Sequence, residues 1–93
     1  MTHIIDELYD VIEERRDGDH PESYTAELLA EGDDAALEKL GEEVTETVLA
    51  AKNDDVDGLV HESADVIYHL LVVLAAHDVP IERVVEELEA RRD

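Results

Sequence analysis

Two short acidic segments decide how this chain folds: residues 41–46, GEEVTE, and residues 62–65, ESAD. Each segment carries two carboxylates three positions apart, Glu43 with Glu46 and Glu62 with Asp65. At about 100° per residue, side chains at that spacing project from one face of a helix. Residues 47–61 suffice to end one helix, turn and begin an antiparallel one. We therefore expect the two pairs to face each other.

The pattern around these segments is that of an all-α protein. Apolar residues recur at helical spacing, and no stretch alternates apolar and polar residues long enough for a half-buried strand. We expect an antiparallel bundle of four main helices with one short helical segment. The expected elements are a first helix from the cap Thr2 to about Arg16, the short segment from Ser23 to Leu29 before Gly32, and long helices from Asp33 to about Asn53, from about Val56 to His77, and from Pro80 to Arg92.

The second half of the fourth helix is apolar on nearly every side, which predicts a partner subunit. Residues 64–76 are apolar on nearly all sides, interrupted by Asp65 and His69, yet they are too few to cross a bilayer. A chain this short has little surface with which to cover such a helix. We expect homodimerisation to complete the bundle. On the third helix, the expected buried stripe is Leu37, Leu40, Val44 and Val48.

The composition restricts the function classes. The chain has 93 residues, a formal net charge of −20 and no cysteine. The charge argues against partners such as nucleic acid or an anionic membrane. The lack of cysteine excludes disulfides, a thiolate nucleophile and a cysteine-ligated zinc site. The N-terminus has no pattern of a signal peptide, so we expect a single cytoplasmic domain over residues 1–93.

The excess of acidic residues has two interpretations, intrinsic disorder or a folded protein with an acidic surface. High net charge with few aromatic residues is typical of disordered chains. However, 44% of the residues are apolar, and many of them recur at helical spacing. We therefore favour a folded protein adapted to high salt, where counterions screen the repulsion among surface carboxylates.

Five carboxylates on the third and fourth helices are the candidate functional cluster. Facing each other, they would repel unless some take up protons or a divalent cation lies among them. Oxygen ligands suit hard cations such as Mg²⁺ or Mn²⁺. In so acidic a chain, solvated helix faces would give the same spacing. Asp65 favours a ligand role because it interrupts an apolar run, where an unpaired carboxylate is costly. The candidates are Glu42, Glu43, Glu46, Glu62 and Asp65.

These segments resemble a known enzyme family. Residues 39–46, KLGEEVTE, and residues 62–69, ESADVIYH, resemble phosphoribosyl-ATP pyrophosphatase, a member of the all-α NTP pyrophosphatase (MazG-like) superfamily. The EExxE and ExxD patterns mark the superfamily, whereas the Ser-Tyr-Thr block at 23–25 and the Tyr-His block at 68–69 point to this member. The resemblance covers roughly residues 5 to 92. The acidic surface departs from the family pattern but lies mostly outside these blocks.

The resemblance implies hydrolysis of phosphoribosyl-ATP to phosphoribosyl-AMP and pyrophosphate, a metal-dependent step of histidine biosynthesis. It implies Glu43, Glu46, Glu62 and Asp65 as direct ligands of Mg²⁺, with Mn²⁺ as the alternative. Glu42 would instead orient or deprotonate the attacking water, although the sequence does not divide these roles. Contacts with the substrate are expected from a further set of residues, several of which have equally ordinary structural interpretations: Lys39, Lys52, Asn53, Arg15, Ser23, Thr25 and Tyr68.

Some assignments stay open at this point. Ser23 and Thr25 bind phosphate or cap the short helix, and Arg15 binds phosphate or pairs with local acids. His69 is expected to be a core histidine with satisfied hydrogen bonds, and the other histidines show no cluster spacing. Two other functions use the same features: a house-cleaning nucleoside triphosphate pyrophosphohydrolase, and a non-catalytic acidic helical dimer that serves as an interaction module.

Overall fold

A computed structural model describes residues 3–18, 20 and 22–92 of this chain. These residues form helices and no strand, which confirms the all-α prediction. The expected cap Thr2 lies outside the described residues. The helices are α1 (His3–Asp17), α2 (Tyr24–Ala30), α3 (Asp33–Lys52), α4 (Val56–Ala76) and α5 (Ile81–Ala90).

Local chemistry explains where the helices begin. Ser23 caps α2, because its hydroxyl accepts a hydrogen bond from the amide of Ala26 at 3.2 Å. Asp55 caps α4 in the same way through the amide of Gly58 at 3.0 Å. Between α2 and α3 the backbone passes through Gly32 at φ 104°, a conformation that residues with a Cβ rarely adopt. Pro80 precedes α5, where its fixed φ suits a helix start.

The helix α4 lies at the centre of the fold and packs against α1, α2 and α3. Its buried residues Leu71, Val72 and Ala75 join residues of the other helices in one core. The core is completed by Tyr9, Ile12, Leu28, Ala36 and Ile81. Side-chain hydrogen bonds attach α1 to the C-terminal end of α4 and to the loop that follows it. The Tyr9 hydroxyl donates to the Val79 carbonyl, and the Arg16 guanidinium donates to the Ala75 carbonyl, both at 2.6 Å.

The expected buried stripe of α3 is wrong for the single chain. Leu37 and Val44 are each 44% exposed and Val48 is 61% exposed, and Leu40 alone of the predicted stripe is half-buried, whereas Ala36 and Glu43 are buried. The helix is rotated by about one residue from the expected orientation. Its inner face therefore carries one small residue and a carboxylate, and the apolar stripe points outward. This orientation of α3 turns Glu43 toward α4. The same orientation exposes the apolar stripe.

The molecule is more extended than its length requires. Its radius of gyration is 14.2 Å, with principal dimensions of 40 × 32 × 21 Å, whereas a compact chain of this length has about 12 Å. By length and composition alone, α4 qualifies as a candidate membrane-crossing helix. However, it packs against three other helices and carries Asp57, Glu62 and Asp65, as a core helix of a folded bundle does.

Candidate metal centre

A tight turn between α3 and α4 brings the two acidic segments together. The amides of Asn53 and Asp55 donate to the carbonyls of Leu49 and Ala50, each at 3.0 Å, and so end α3. Asp54 has φ 55°, in the left-handed region that Asp and Asn tolerate better than most residues. The contact between α3 and α4 is the most extensive between any two helices described. The hairpin therefore holds both segments on facing helix surfaces.

Three of the five expected carboxylates form one cluster. One side-chain oxygen from each of Glu43, Glu46 and Glu62 lies within 4.8 Å of the other two. A second group joins Glu62 to Asp65 and His61, again with ligand atoms within 4.8 Å. In this group the His61 Nε2 lies 3.4 Å from an Asp65 oxygen and 3.7 Å from a Glu62 oxygen. Glu62 thus belongs to both groups, and these ligand atoms together are those that could hold a metal ion.

Glu46 lies close enough to Glu62 to raise the pKa of the Glu62 carboxyl group. A hydrogen bond with Glu46, partial burial, and the negative charges of Glu46 and Glu43 raise the pKa of Glu62 to about 7, against the weaker opposing effect of His61. Two carboxylates this close do not both ionise readily without a cation. The cluster therefore keeps a proton near neutral pH, and a divalent cation would replace it.

Glu43 is the buried member of the cluster, with only 5% of its surface exposed. Its Oε1 lies 3.3 Å from the ammonium of Lys39, one turn earlier on α3. Its Oε2 is buried and has no hydrogen-bond partner among the described residues. An unsatisfied buried carboxylate oxygen is costly, and oxygen donors of this kind suit a hard divalent cation. The donor set therefore fits Mg²⁺ or Mn²⁺.

A polar network around the buried residues His69 and Thr25 contacts the backbone of α4 beside the cluster. His69 is buried, and its Nδ1 donates to the backbone carbonyl of Asp65 at 2.8 Å. Because a carbonyl only accepts, the hydrogen lies on Nδ1, and the Nε2 on the other side of the ring is within hydrogen-bonding distance of the Tyr24 hydroxyl, at 3.1 Å. Thr25 and Tyr68 form a further hydrogen bond through their hydroxyl groups. His69 is thus a core histidine with both ring nitrogens bonded, as expected from the sequence.

The structure separates the remaining expected substrate residues into two sets. Glu42 is exposed beside Lys39, outside both described metal-ligand groups, and lines a cavity with it. Lys52 and Asn53 end α3 at the hairpin turn. Arg15, which was expected to contact the substrate, pairs with a neighbouring residue instead. Arg15 pairs with Glu14 at 3.2 Å and lines a separate cavity between α1 and α2.

Two residues near the cluster were not selected from the sequence. His61 precedes Asp65 by four positions, a spacing that places both on one helix face and was available as a signal. Tyr24 was recognised only as part of a family block. Its contact with His69 joins residues 45 positions apart, and no local pattern reports such a pair.

Comparison with known proteins identifies the family of this chain. The sequence profile of the family described as Phosphoribosyl-ATP pyrophosphohydrolase matches residues 5–92, nearly the whole chain. The chain belongs to this family. A protein named phosphoribosyl-ATP pyrophosphatase from Halobacterium salinarum is 54% identical over 95 residues, which cover 99% of this chain and 100% of that protein.

Further relatives named phosphoribosyl-ATP pyrophosphatase are similar to this chain over most of its length. The protein of that name from Haloarcula marismortui is 52% identical over 91 residues, covering 96% of this chain and 93% of its own length. The one from Bacillus cereus is 46% identical over 84 residues, covering 90% of this chain and 78% of its own length. The similarity therefore extends over the helices that carry the cluster as well as those that support it.

Proposed function

We propose that this chain hydrolyses phosphoribosyl-ATP to phosphoribosyl-AMP and pyrophosphate, a step of histidine biosynthesis. The observation that carries the proposal is the cluster of Glu43, Glu46 and Glu62 with a buried, unsatisfied oxygen on Glu43. Its supporting context is family membership over residues 5–92 and the names of relatives of equal length. As in those relatives' pathway, we expect the protein to act in the cytoplasm.

The proposed cofactor is Mg²⁺, with Mn²⁺ as the alternative. The residues that would hold it are Glu43, Glu46, Glu62 and Asp65. The support is their oxygen chemistry and the proton that Glu62 retains near pH 7 without a cation. A divalent cation bound there would supply positive charge to the oxygens of the anhydride that is cleaved.

The chain's own residues contribute orientation, charge and proton transfer. Lys39 is held by Glu43, and this hydrogen bond raises the pKa of the Lys39 ammonium, so it stays charged for a phosphate oxygen. Glu42 is exposed beside it and is the proposed acceptor of a proton from water. The water oxygen bonds to phosphorus as the bridging P–O bond of the α–β anhydride breaks. Pyrophosphate then leaves, and no covalent enzyme intermediate is needed.

We also propose a homodimer. The support is an apolar outer face on the α3–α4 hairpin, which a single chain leaves open to water. Val44, Val48 and Ile67 are exposed there and line a shallow cavity of about 280 Å³. Exposed apolar patches of this kind are typical of association surfaces.

The deciding experiment is a comparison of phosphoribosyl-ATP with ATP as substrate, with and without Mg²⁺. We expect pyrophosphate release from phosphoribosyl-ATP only with the cation, at a much higher kcat/KM than from ATP. Glu43→Gln should lower this kcat/KM about 10- to 100-fold, because it removes a charged ligand. The control Glu86→Gln removes an equal charge from α5, away from the cluster, and should leave it unchanged. Equal or better use of ATP would instead support a house-cleaning enzyme, and no hydrolysis of either would support an interaction module.

A further inference from the structure

A cavity adjoins the metal cluster, and the residues that line it differ in chemistry from the carboxylates of the cluster. It lies between α2 and α3 and has a volume of about 340 Å³. The apolar part of its wall is formed by Tyr24, Leu28 and Ala35, and the charged part by Glu31, Glu38, Lys39 and Glu42. Lys39 also contacts Glu43, so this residue connects the cavity with the cluster. A ligand with its phosphates at the cluster would place its next groups here.

The aromatic part of the wall is held in place. Tyr24 is 50% exposed, yet its hydroxyl is bonded to the buried His69, whose other nitrogen is bonded to the Asp65 backbone. The two rings meet edge to face with their centroids 6.0 Å apart. The Tyr24 ring is therefore fixed from behind, while part of its surface is open to a ligand. His69, which holds the Tyr24 ring, lies one helical turn after the proposed ligand Asp65. The same histidine therefore contacts both the cavity wall and the helix segment that carries the cluster.

The charge of this cavity selects against anions. Three carboxylates line it, and the single lysine has its ammonium at Glu43. A phosphate group would be repelled by this wall, whereas an organic cation would be attracted both by the carboxylates and by the face of the tyrosine ring. In an acidic chain, carboxylates border many surfaces. The described cavity between α1 and α2, by contrast, has no tyrosine in its wall and is lined by Arg15, Arg16 and His20 together with one carboxylate, Glu27.

The proposed substrate contains such a cation. Phosphoribosyl-ATP carries its second sugar on N1 of the adenine, and an N1-substituted adenine is an amidine that holds a proton at neutral pH. The ring is then positively charged, whereas the adenine of ATP is neutral. On the basis of the proposed function, we propose that the α2–α3 cavity is the subsite for the cationic N1-substituted adenine ring. Its carboxylates and Tyr24 distinguish the substrate from ordinary ATP by charge.

The test compares two competitors of the same shape and different charge. 1-Methyl-AMP is a cation at its base, whereas 1-methyl-IMP has a neutral base with the same N1 methyl group. Both are used as competitive inhibitors of phosphoribosyl-ATP hydrolysis, so neither has to be turned over. We expect 1-methyl-AMP to have the lower inhibition constant, by about 5-fold or more. Each exposed contact of this kind is worth about 2–5-fold.

Variants of exposed wall residues assign the preference to this cavity. The double variant Glu31→Gln/Glu38→Gln should reduce the preference for 1-methyl-AMP to less than about 2-fold and raise KM for phosphoribosyl-ATP, with little change in kcat. Tyr24→Leu should reduce the same preference. The matched control Glu86→Gln/Glu89→Gln removes two charges from α5 and should change neither quantity. Glu42 is left intact because it belongs to the proposed catalytic machinery, and thermal unfolding checks that each variant is folded.

The outcomes separate this proposal from the proposed function. If phosphoribosyl-ATP is not hydrolysed at all, both are overturned. If it is hydrolysed but the two inhibitors bind equally or not at all, only the subsite is overturned. The subsite is also overturned if the α2–α3 double variant keeps the full preference, or if the α5 control loses it to the same degree.

Discussion

At the scale of single residues, Glu43 and Glu62 are the two carboxylates whose surroundings are least favourable to their charge. Glu43 has one oxygen bonded to Lys39 and one buried oxygen without a described partner. Glu62 retains a proton because Glu46 lies beside it. Both features raise the free energy of the cation-free cluster, one through desolvation and the other through repulsion. The proposed binding of a divalent cation would relieve both.

The affinity for Mg²⁺ or Mn²⁺ is expected to rise with pH up to about 7. The pKa of Glu62 is about 7, and its proton must leave before the oxygen becomes a ligand. Below that pH, affinity should fall by roughly tenfold per unit. Calorimetry between pH 6 and 8 in buffers of different ionisation enthalpy measures both the affinity and the released proton.

The variant Glu46→Gln provides the control for this linkage. It removes the main cause of the raised pKa of Glu62, so weaker binding should persist with its pH dependence moved to lower pH. An affinity independent of pH between 6 and 8 in the unmodified protein would contradict the raised pKa of Glu62. The stability of the folded state depends on pH in the opposite direction. Without metal, the raised pKa stabilises the folded state at low pH, and this contribution is lost as the pH rises from 4.5 to about 7.

At the scale of elements, the α3–α4 hairpin positions the cluster, and the start of α4 determines its register. Asp55 caps this start through the amide of Gly58. A Cβ built on Gly58 would lie 2.3 Å from the Asp55 carboxylate that makes the cap. On α3, a Cβ on Gly41 would meet nothing within 4 Å. The two helical glycines thus provide a matched pair.

Gly41→Ala is expected to stabilise the protein, whereas Gly58→Ala is not. Alanine gains about 0.5–1 kcal/mol over glycine inside a helix. At Gly58 the added methyl group displaces the Asp55 carboxylate, and the lost cap costs about 1 kcal/mol, which cancels the gain. Urea unfolding of both variants measures the difference. A stabilisation at Gly58 as large as that at Gly41 would show that Asp55 does not cap α4 in solution.

At the scale of the whole molecule, the charge and the exposed apolar face have to be considered together. A net charge of −20 on 93 residues keeps molecules apart at low salt. The outer face of the α3–α4 hairpin nevertheless exposes Val48, Val60 and Ile67. Screening by salt reduces the repulsion while leaving the apolar attraction. High salt should therefore favour association through this face.

The variant Val48→Asp is expected to convert the proposed homodimer into monomers. It places a charge in the centre of the face whose cavity Val48 lines with Val44 and Ile67, and an unpaired charge in a buried interface is strongly unfavourable. Sedimentation in high salt measures the mass of each form. The control Ile4→Asp alters an exposed residue on α1 outside this face and should leave the mass unchanged. A folded monomer in the unmodified protein at high salt would refute the dimer.

Much of the fold was predictable because helices are local. The bounds of α2 and α4 follow from Ser23 and Asp55, whose side chains cap amides three positions away. The pairing of the acidic segments follows from their spacing and a short turn. The orientation of α3 about its own axis was not predictable. The stripe of Leu37, Val44 and Val48 is the more apolar face, yet the face with Glu43 turns inward.

The sequence by itself determined the all-α class, the helix order and the residues that meet across the α3–α4 hairpin. Each of these depends on contacts between residues a few positions apart, or on the short turn that makes α4 run antiparallel to α3. Only the tertiary structure decided that Glu43 is buried with one oxygen unpaired among residues 3–18, 20 and 22–92, that His61 joins Glu62 and Asp65, and that His69 fixes Tyr24 beside Lys39. These features depend on the rotation and distance of packed helices. Both are set by the sum of contacts over the whole molecule.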